Sequence, residues 1–480
     1  MSLRRSVLLV VAAFVLGSGT VVACASSPPA GSTIAWTPCQ ENAEFDCAAI
    51  PVPVDWSDPD SATVDIAVVR DRADEPARKL GTLVSLPGGP GKSGVDEIIA
   101  GGKFSSAILA RFDVISLDPR GVGRSHPVRC DADLAAHRPN LVPDLGGRIE
   151  EVHAYARELA DSCRRYTGPL LEHVDATSVA RDVDALRSAL GEQRISVYSR
   201  SYGTMSAQAY AELFPERLRA MVLDSVDDHI VSGREMLASA ARAGADTFGE
   251  FVAWCGREQQ CVLHGVDIEA AFEDLYSRAG RGVLRDPASG TVLGPLDLST
   301  AVTQRLDTPE WSRLATDLRS LIDQPSVDLP PAAAPPAPAP AAVATPWVIA
   351  CSDWKFEVAD QAQWSRLWQE QNAAAGALHA HFAWAAGSVC SGWPTAHKNP
   401  PHPPRGDEGP AIVIMNSRHD PATPHEWARN VTANTPNAVL LTYDGWGHGV
   451  YGRTPCTTGT ADRYLIDLTI PPAETHCPAG

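Results

Sequence analysis

Short apolar runs and helically spaced stretches take turns over two separated parts of the chain. Runs at 64–69, 82–86, 112–117, 195–198 and 220–223 have strand length and end at polar or Gly/Pro positions. Between them, 178–190 sets Val179, Val183, Leu186 and Leu190 on one helix face, and 206–218 reads as a second helix. Alternation of this kind predicts an α/β fold, a mostly parallel sheet with helices on both faces. The pattern resumes at 411–415 and 438–443. Sheets of this type carry their sites at the carboxyl ends of strands.

The intervening residues 229–404 lack that alternation. Helical stretches at 233–251, 267–278 and 360–386 dominate, which predicts an inserted, mainly helical cap. Residues 330–346 hold seven Pro and eight Ala in 17 positions, too little apolar bulk to pack, and read as a polyproline-like linker within the cap. The expected organisation is a leader at 1–23, a first core part at 24–228, the cap at 229–404, and a second core part at 405–480.

The leader changes the setting. Arg4 and Arg5 precede a ten-residue apolar run, 7–16, which is too short to span a bilayer. Charge, apolar run and small residues in that order read as an export signal. Val21-Val22-Ala23-Cys24 resembles a bacterial lipobox, which implies lipidation of Cys24 and a chain tethered to the outer face of the cell membrane or secreted. Eleven cysteines leave ten once Cys24 is set aside, and an exported compartment permits disulfides. Pairing neighbours along the chain gives Cys39–Cys47, Cys130–Cys163, Cys255–Cys261, Cys351–Cys390 and Cys456–Cys477, although spacing does not prove connectivity. No clustered Cys/His spacing suggests a metal, and no cofactor motif appears. With 58 acidic against 40 basic residues the net charge is −18, which disfavours nucleic acid as a partner.

Four segments carry candidate chemistry. Tyr198-Ser199-Arg200-Ser201-Tyr202-Gly203-Thr204 lies between a predicted strand and helix, the setting of a nucleophile elbow, with Ser201 as nucleophile. Gly203 supplies one of the small residues the sharp turn needs. Ser199 stands where Gly is usual. Leu86-Pro87-Gly88-Gly89-Pro90-Gly91 follows a strand, and its glycines can expose backbone N–H groups to an oxyanion. Gly89 and Tyr202 are the candidate donors. His419-Asp420-Pro421-Ala422-Thr423-Pro424-His425-Glu426 offers Asp420 as acid just before a helix, where Thr423 and Glu426 fit a capping box and Pro424 the first helical position. Asp224 is a rival acid. Asp444-Gly445-Trp446-Gly447-His448-Gly449 offers His448 as base. The order Ser, Asp, His is that of one known triad layout, and His419 and His425 lie too near Asp420 to fit it. In such a triad the imidazole takes the serine proton and the carboxylate fixes its tautomer.

The same segments resemble the exported α/β-hydrolase serine peptidases of the tripeptidyl aminopeptidase and proline iminopeptidase group. The matching stretches are 51–58 (PVPVDWSD), 87–94 (PGGPGKSG), 117–125 (LDPRGVGRS), 201–204 (SYGT), 420–424 (DPATP) and 447–449 (GHG). The region from Cys456 to Cys477 is similar to that group's C-terminal extension. The resemblance implies an α/β-hydrolase core, a helical cap and release of short N-terminal peptides. It carries nucleophile, acid and base onto Ser201, Asp420 and His448, and a bracing role onto Asp118 and Arg120. An exopeptidase must also hold a free α-amine, and Asp227, Asp228, Asp353 and Glu357 are the acids available in or near the cap. The expected partner is thus a peptide. A carboxylesterase acting on esters through the same triad, and an inactive surface-binding lipoprotein, are the competing readings.

Overall fold

The computed structural model describes residues 34–325, 340–405 and 409–480. The leader and Cys24 lie outside the described residues, as does 330–339 of the expected linker. Ten strands form one sheet: β1 (Thr37–Pro38), β2 (Asp46–Pro53), β3 (Thr63–Asp71), β4 (Gly81–Leu86), β5 (Phe112–Leu117), β7 (Ile195–Ser201), β8 (Leu218–Val226), β10 (Ile412–His419), β11 (Ala438–Trp446) and β12 (Thr475–Cys477). Their spatial order is β1-β2-β3-β5-β4-β7-β8-β10-β11-β12. A separate two-stranded sheet pairs β6 (Arg129–Asp131) with β9 (Ala342–Ala344). The pairs from β1 to β3, and β3 with β5, are antiparallel. From β5 onward every neighbour is parallel.

The central parallel strands read as continuous apolar runs because helices cover both faces. Leu83, Val84 and Leu86 of β4 and Ile195 and Val197 of β7 are all buried. β3, nearer the edge, alternates instead, with Val64, Ile66 and Val68 turned inward. The expected strands are all present; β5 matches its apolar run, and the others run longer than theirs. β7 continues through Ser199, Arg200 and Ser201, whose polar side chains gave no strand signal.

The cap contains helices Gly233–Arg257, Ile268–Gly280, Pro295–Leu306, Trp311–Ile322, Gln361–Ala375 and Ala383–Cys390. One expectation needs correction. The end of the Pro/Ala-rich stretch is built into the fold: Ala342–Ala344 pairs with Arg129–Asp131, and Pro346–Ile349 forms a 3₁₀ turn that buries Val348 and Ile349. Apolar content alone missed this, because a three-residue strand needs only a partner with open hydrogen-bonding groups.

The ten cysteines among the described residues pair as Cys39–Cys47, Cys130–Cys163, Cys255–Cys261, Cys351–Cys390 and Cys456–Cys477. Asp118 and Arg120 brace the loop after β5. Asp118 accepts from the Ser93 hydroxyl at 2.5 Å and from the Val95 and Arg124 amides. Arg120, fully buried, pairs with Asp182 at 2.5 Å and donates to the carbonyls of Pro53, Val54 and His173.

Candidate active site

Ser201 ends β7 with φ +58°, in the left-handed region that a non-glycine residue rarely adopts. The chain turns there into the Gly203–Leu213 helix. Sterics around the turn explain its small residues. A Cβ on Gly203 would collide with the Pro87 carbonyl oxygen and lie 2.9 Å from Ser199 Oγ. Ser199 is therefore accommodated, its hydroxyl buried and without a hydrogen-bond partner. A Cβ on Gly88 would lie 2.9 Å from Ser201 Cβ, so the loop after β4 can approach the nucleophile only as glycine. Neither the Gly89 nor the Tyr202 amide donates a hydrogen bond among the described residues. Both remain available to a developing oxyanion.

His448 is held through both its ring and its backbone. Its Nδ1 lies 3.0 Å from each carboxylate oxygen of Asp420. Asp420, almost fully buried, also accepts from the Ala422 and Thr423 amides, the Thr423 hydroxyl and the Ser225 hydroxyl. Burial alone would raise the Asp420 pKa. The charge and hydrogen bond of His448, with the two amides, outweigh it and hold the carboxyl below its ordinary value. Burial likewise pulls His448 down, but the charge and hydrogen bond of Asp420, aided by Asp307, leave its pKa above the ordinary value. With Nδ1 bonded to the carboxylate, Nε2 is the nitrogen left to accept a proton.

The backbone amides of the histidine loop are all engaged. Gly447 N–H donates to the His419 carbonyl, His448 N–H to the Asp307 carbonyl at 2.8 Å, and Gly449 N–H to Ser225 Oγ. Val450 and Tyr451 donate to the two oxygens of Asp224. Asp224 is thereby excluded as the rival acid: it orders the loop's backbone, and Tyr198 donates to it as well. No hydrogen bond joins Ser201 Oγ to the imidazole in this structure, a contact that commonly tightens only with substrate bound. The segments that carry them touch, since a Cβ on Gly449 would lie 3.0 Å from Arg200 Cδ.

The expected capping box at Thr423 is not formed. The helix begins at His425, with Pro424 at the cap and no side-chain cap, because the Thr423 hydroxyl turns to Asp420 instead. Three of the four candidate amine-binding acids have carboxylates engaged by other groups. Asp228 accepts from Asn430 and the Ile230 amide. Asp353 is fully buried and accepts from the Tyr202 hydroxyl, the Ala176 amide and Asn399. Glu357 is exposed and pairs with Lys355 at 2.5 Å. Only Asp227 keeps a carboxylate with no partner among the described residues. Burial, with the charges of Asp420 and Asp228 adding and that of His448 opposing, pushes it up to about 7.

Ser225, Asp307 and Arg200 escaped the sequence reading as contributors. Ser225 has φ +57° and bridges Asp420 to Gly449, an arrangement no local motif announces. Asp307 comes from the cap, more than a hundred residues from the loop it holds. Among the described residues no group of three or more His, Cys, Asp or Glu is placed to hold a metal ion.

A family model described as alpha/beta hydrolase fold matches residues 81–280, and one described as TAP-like protein matches 377–477. Serine protease Hip1 of Mycobacterium tuberculosis (strain ATCC 25618 / H37Rv) is 30% identical, the match covering 94% of this chain and 92% of the relative. Tripeptidyl aminopeptidase of Streptomyces lividans is 29% identical, covering 96% and 90%. Carboxylesterase B of the same Mycobacterium tuberculosis strain is 30% identical, covering 90% and 86%. Among solved structures, esterase E22 has 13% identity, covers 88% of this chain and 99% of its own, and has a TM-score of 0.39, a likeness too distant to carry weight. Relatives similar along nearly their whole length, together with the sheet order and the Asp420–His448 pair beside the elbow, establish that the chain belongs to the α/β-hydrolase family, with a TAP-like C-terminal region.

Proposed function

We propose that this serine hydrolase is a peptidase that releases short, tripeptide-type fragments from peptide N-termini through an acyl-enzyme on Ser201. The observation that carries the triad is the symmetric contact of His448 Nδ1 with buried Asp420, on the loop packed beside the Ser201 elbow. His448 Nε2 takes the Ser201 proton as Oγ attacks the carbonyl, and returns it to the leaving group. The Gly89 and Tyr202 amides receive the oxyanion. Water then repeats the cycle on the ester.

The names of two relatives, serine protease and tripeptidyl aminopeptidase, favour a peptide substrate. The free carboxylate of Asp227 is the group we assign to the substrate's α-ammonium. Asp227→Asn is expected to raise KM for free-amine peptides about tenfold and to leave N-acetylated ones less affected, with the distinction fading as pH falls through about 7. Equal effects on both substrates would remove that assignment. The carboxylesterase reading is the second candidate, favoured by the relative named carboxylesterase B. Kinetics on tripeptidyl anilides against short-chain aryl esters decide between the two, and mass spectrometry of a peptide digest shows whether N-terminal tripeptides are the product. Fluorophosphonate labelling that persists in Ser201→Ala would sink the nucleophile assignment, and no labelling of the wild type would favour the inactive lipoprotein.

We also infer export with lipidation at Cys24, supported by the order of charge, apolar run and small residues before it. Cys24→Ala is expected to release the protein from the membrane fraction into the medium. Unchanged membrane association would contradict the anchor.

A further inference from the structure

Arg200 sits directly before the nucleophile and has no hydrogen-bond acceptor among the described residues. Its guanidinium is partly exposed, and its nearest counter-charge, Glu97, lies 3.6 Å away. Glu97 is already taken by Lys103 at 2.6 Å, and that ammonium is itself largely buried against Phe104 and Tyr198. Lys92, exposed on the loop that carries Gly89, makes no ion pair or hydrogen bond through its side chain among the described residues. In a chain of net charge −18, Arg200, held by Glu97 only at 3.6 Å, and Lys92, without an ion pair among the described residues, act on the same two acids, Glu97 and Asp307. Asp224 and Asp307 are the other acids whose charge reaches Arg200, and Asp224 is already engaged by the Val450 and Tyr451 amides and the Tyr198 hydroxyl. A partly exposed guanidinium held only at 3.6 Å by its nearest carboxylate is a ready carboxylate receptor.

The position of Arg200 fixes which part of the substrate it meets. Its Cδ packs against Gly449, the residue after His448. The imidazole must come within hydrogen-bond reach of the leaving atom to protonate it. Arg200, whose stem touches the loop that carries the imidazole, is thereby placed near the leaving group.

We propose that Arg200, assisted by Lys92, binds a carboxylate on the leaving-group side of the scissile bond. The natural substrates are then peptides with Asp or Glu just after the cleaved bond, or short peptides whose C-terminal carboxylate falls there. This inference rests on the hydrolase reading and adds the charge of the product that leaves first.

The test uses matched leaving groups on the full-length enzyme: peptidyl 4-nitroanilide against peptidyl 3-carboxy-4-nitroanilide, and the corresponding pair of aryl esters. The wild type is expected to favour the carboxylated member about tenfold in kcat/KM, mainly through KM. The preference should fall towards one in Arg200→Gln, persist largely in Arg200→Lys, shrink about threefold in Lys92→Gln and narrow in 0.5 M salt. Lys92→Gln and the salt series serve if Arg200→Gln does not fold. Turnover with no preference in the wild type overturns the inference and leaves the hydrolase reading standing. Equal losses on both leaving groups in Arg200→Gln make Arg200 a brace for the Gly449 turn and also overturn it. Absence of turnover and of fluorophosphonate labelling overturns both readings together.

Discussion

Single side chains set the chemistry through their surroundings. His448 must be neutral to take the serine proton, and Asp420 favours its charged form. Protonation at falling pH therefore removes the base, and the raised pKa moves that loss upward. The acid limb of kcat/KM is expected to have its midpoint above ~6.5, the ordinary histidine value. A midpoint below that value in a pH–rate profile contradicts the geometry. Gly203 shows the steric counterpart. Any side chain there meets the Pro87 carbonyl, so Gly203→Ala must shift the oxyanion loop or the elbow. The expected loss is about a hundredfold in kcat, the effect of misplacing one oxyanion donor.

Elements hold these residues through pairs that are distant in sequence. Arg120, from the loop after β5, and Asp182, from the Ala176–Ala189 helix, are both fully buried and satisfied. Arg120→Met leaves the Asp182 carboxylate without its counter-charge in an apolar setting, at a cost of about 3–5 kcal/mol. Chemical denaturation should show the midpoint fall with an unchanged slope. Asp353 provides a second tie. It stands on the short Ala350–Asp353 helix, which Cys351–Cys390 fastens to the Ala383–Cys390 helix, and it accepts from the Tyr202 hydroxyl. Replacing both cysteines by Ser is expected to lower stability by about 3–4 kcal/mol for a loop of 39 residues. It should also slow kcat if the Tyr202 amide is the oxyanion donor we propose. Unchanged kcat with lowered stability would show that the cap fastening does not reach the site.

At the scale of the whole molecule, the cap supports the base as well as covering the core. Trp446 packs edge-on against Trp311 with ring centroids 5.2 Å apart, and its indole N–H donates to Glu250. The Asp307 carbonyl accepts from His448, and a Cβ on Gly447 would lie 2.7 Å from that same oxygen. The fit between cap and histidine loop is therefore close. Trp311→Ala is expected to lower kcat about tenfold and to lower protection of the 447–451 amides from hydrogen exchange. Protection that stays at the wild-type level would show that the loop is held by the core alone.

The Ser201 turn and the His448 loop of the proposed triad were legible in the sequence because each sits in a short local context. A strand, a turn of small residues and a helix frame Ser201, and glycines frame His448. The strands of the core were legible for the same reason, since burial on both faces writes an apolar run. Their ends were not, because Ser199, Arg200 and Ser201 continue β7 through backbone pairing rather than apolar character. The choice between Asp224 and Asp420 depended on which carboxylate meets the ring and which meets the backbone. The roles of Ser225 and Asp307, the diversion of Thr423 from capping to Asp420, and the commitment of Asp228, Asp353 and Glu357 were decided by tertiary structure alone. Each depends on groups that are remote along the chain competing for the same hydrogen bonds, and a linear sequence holds no measure of that proximity.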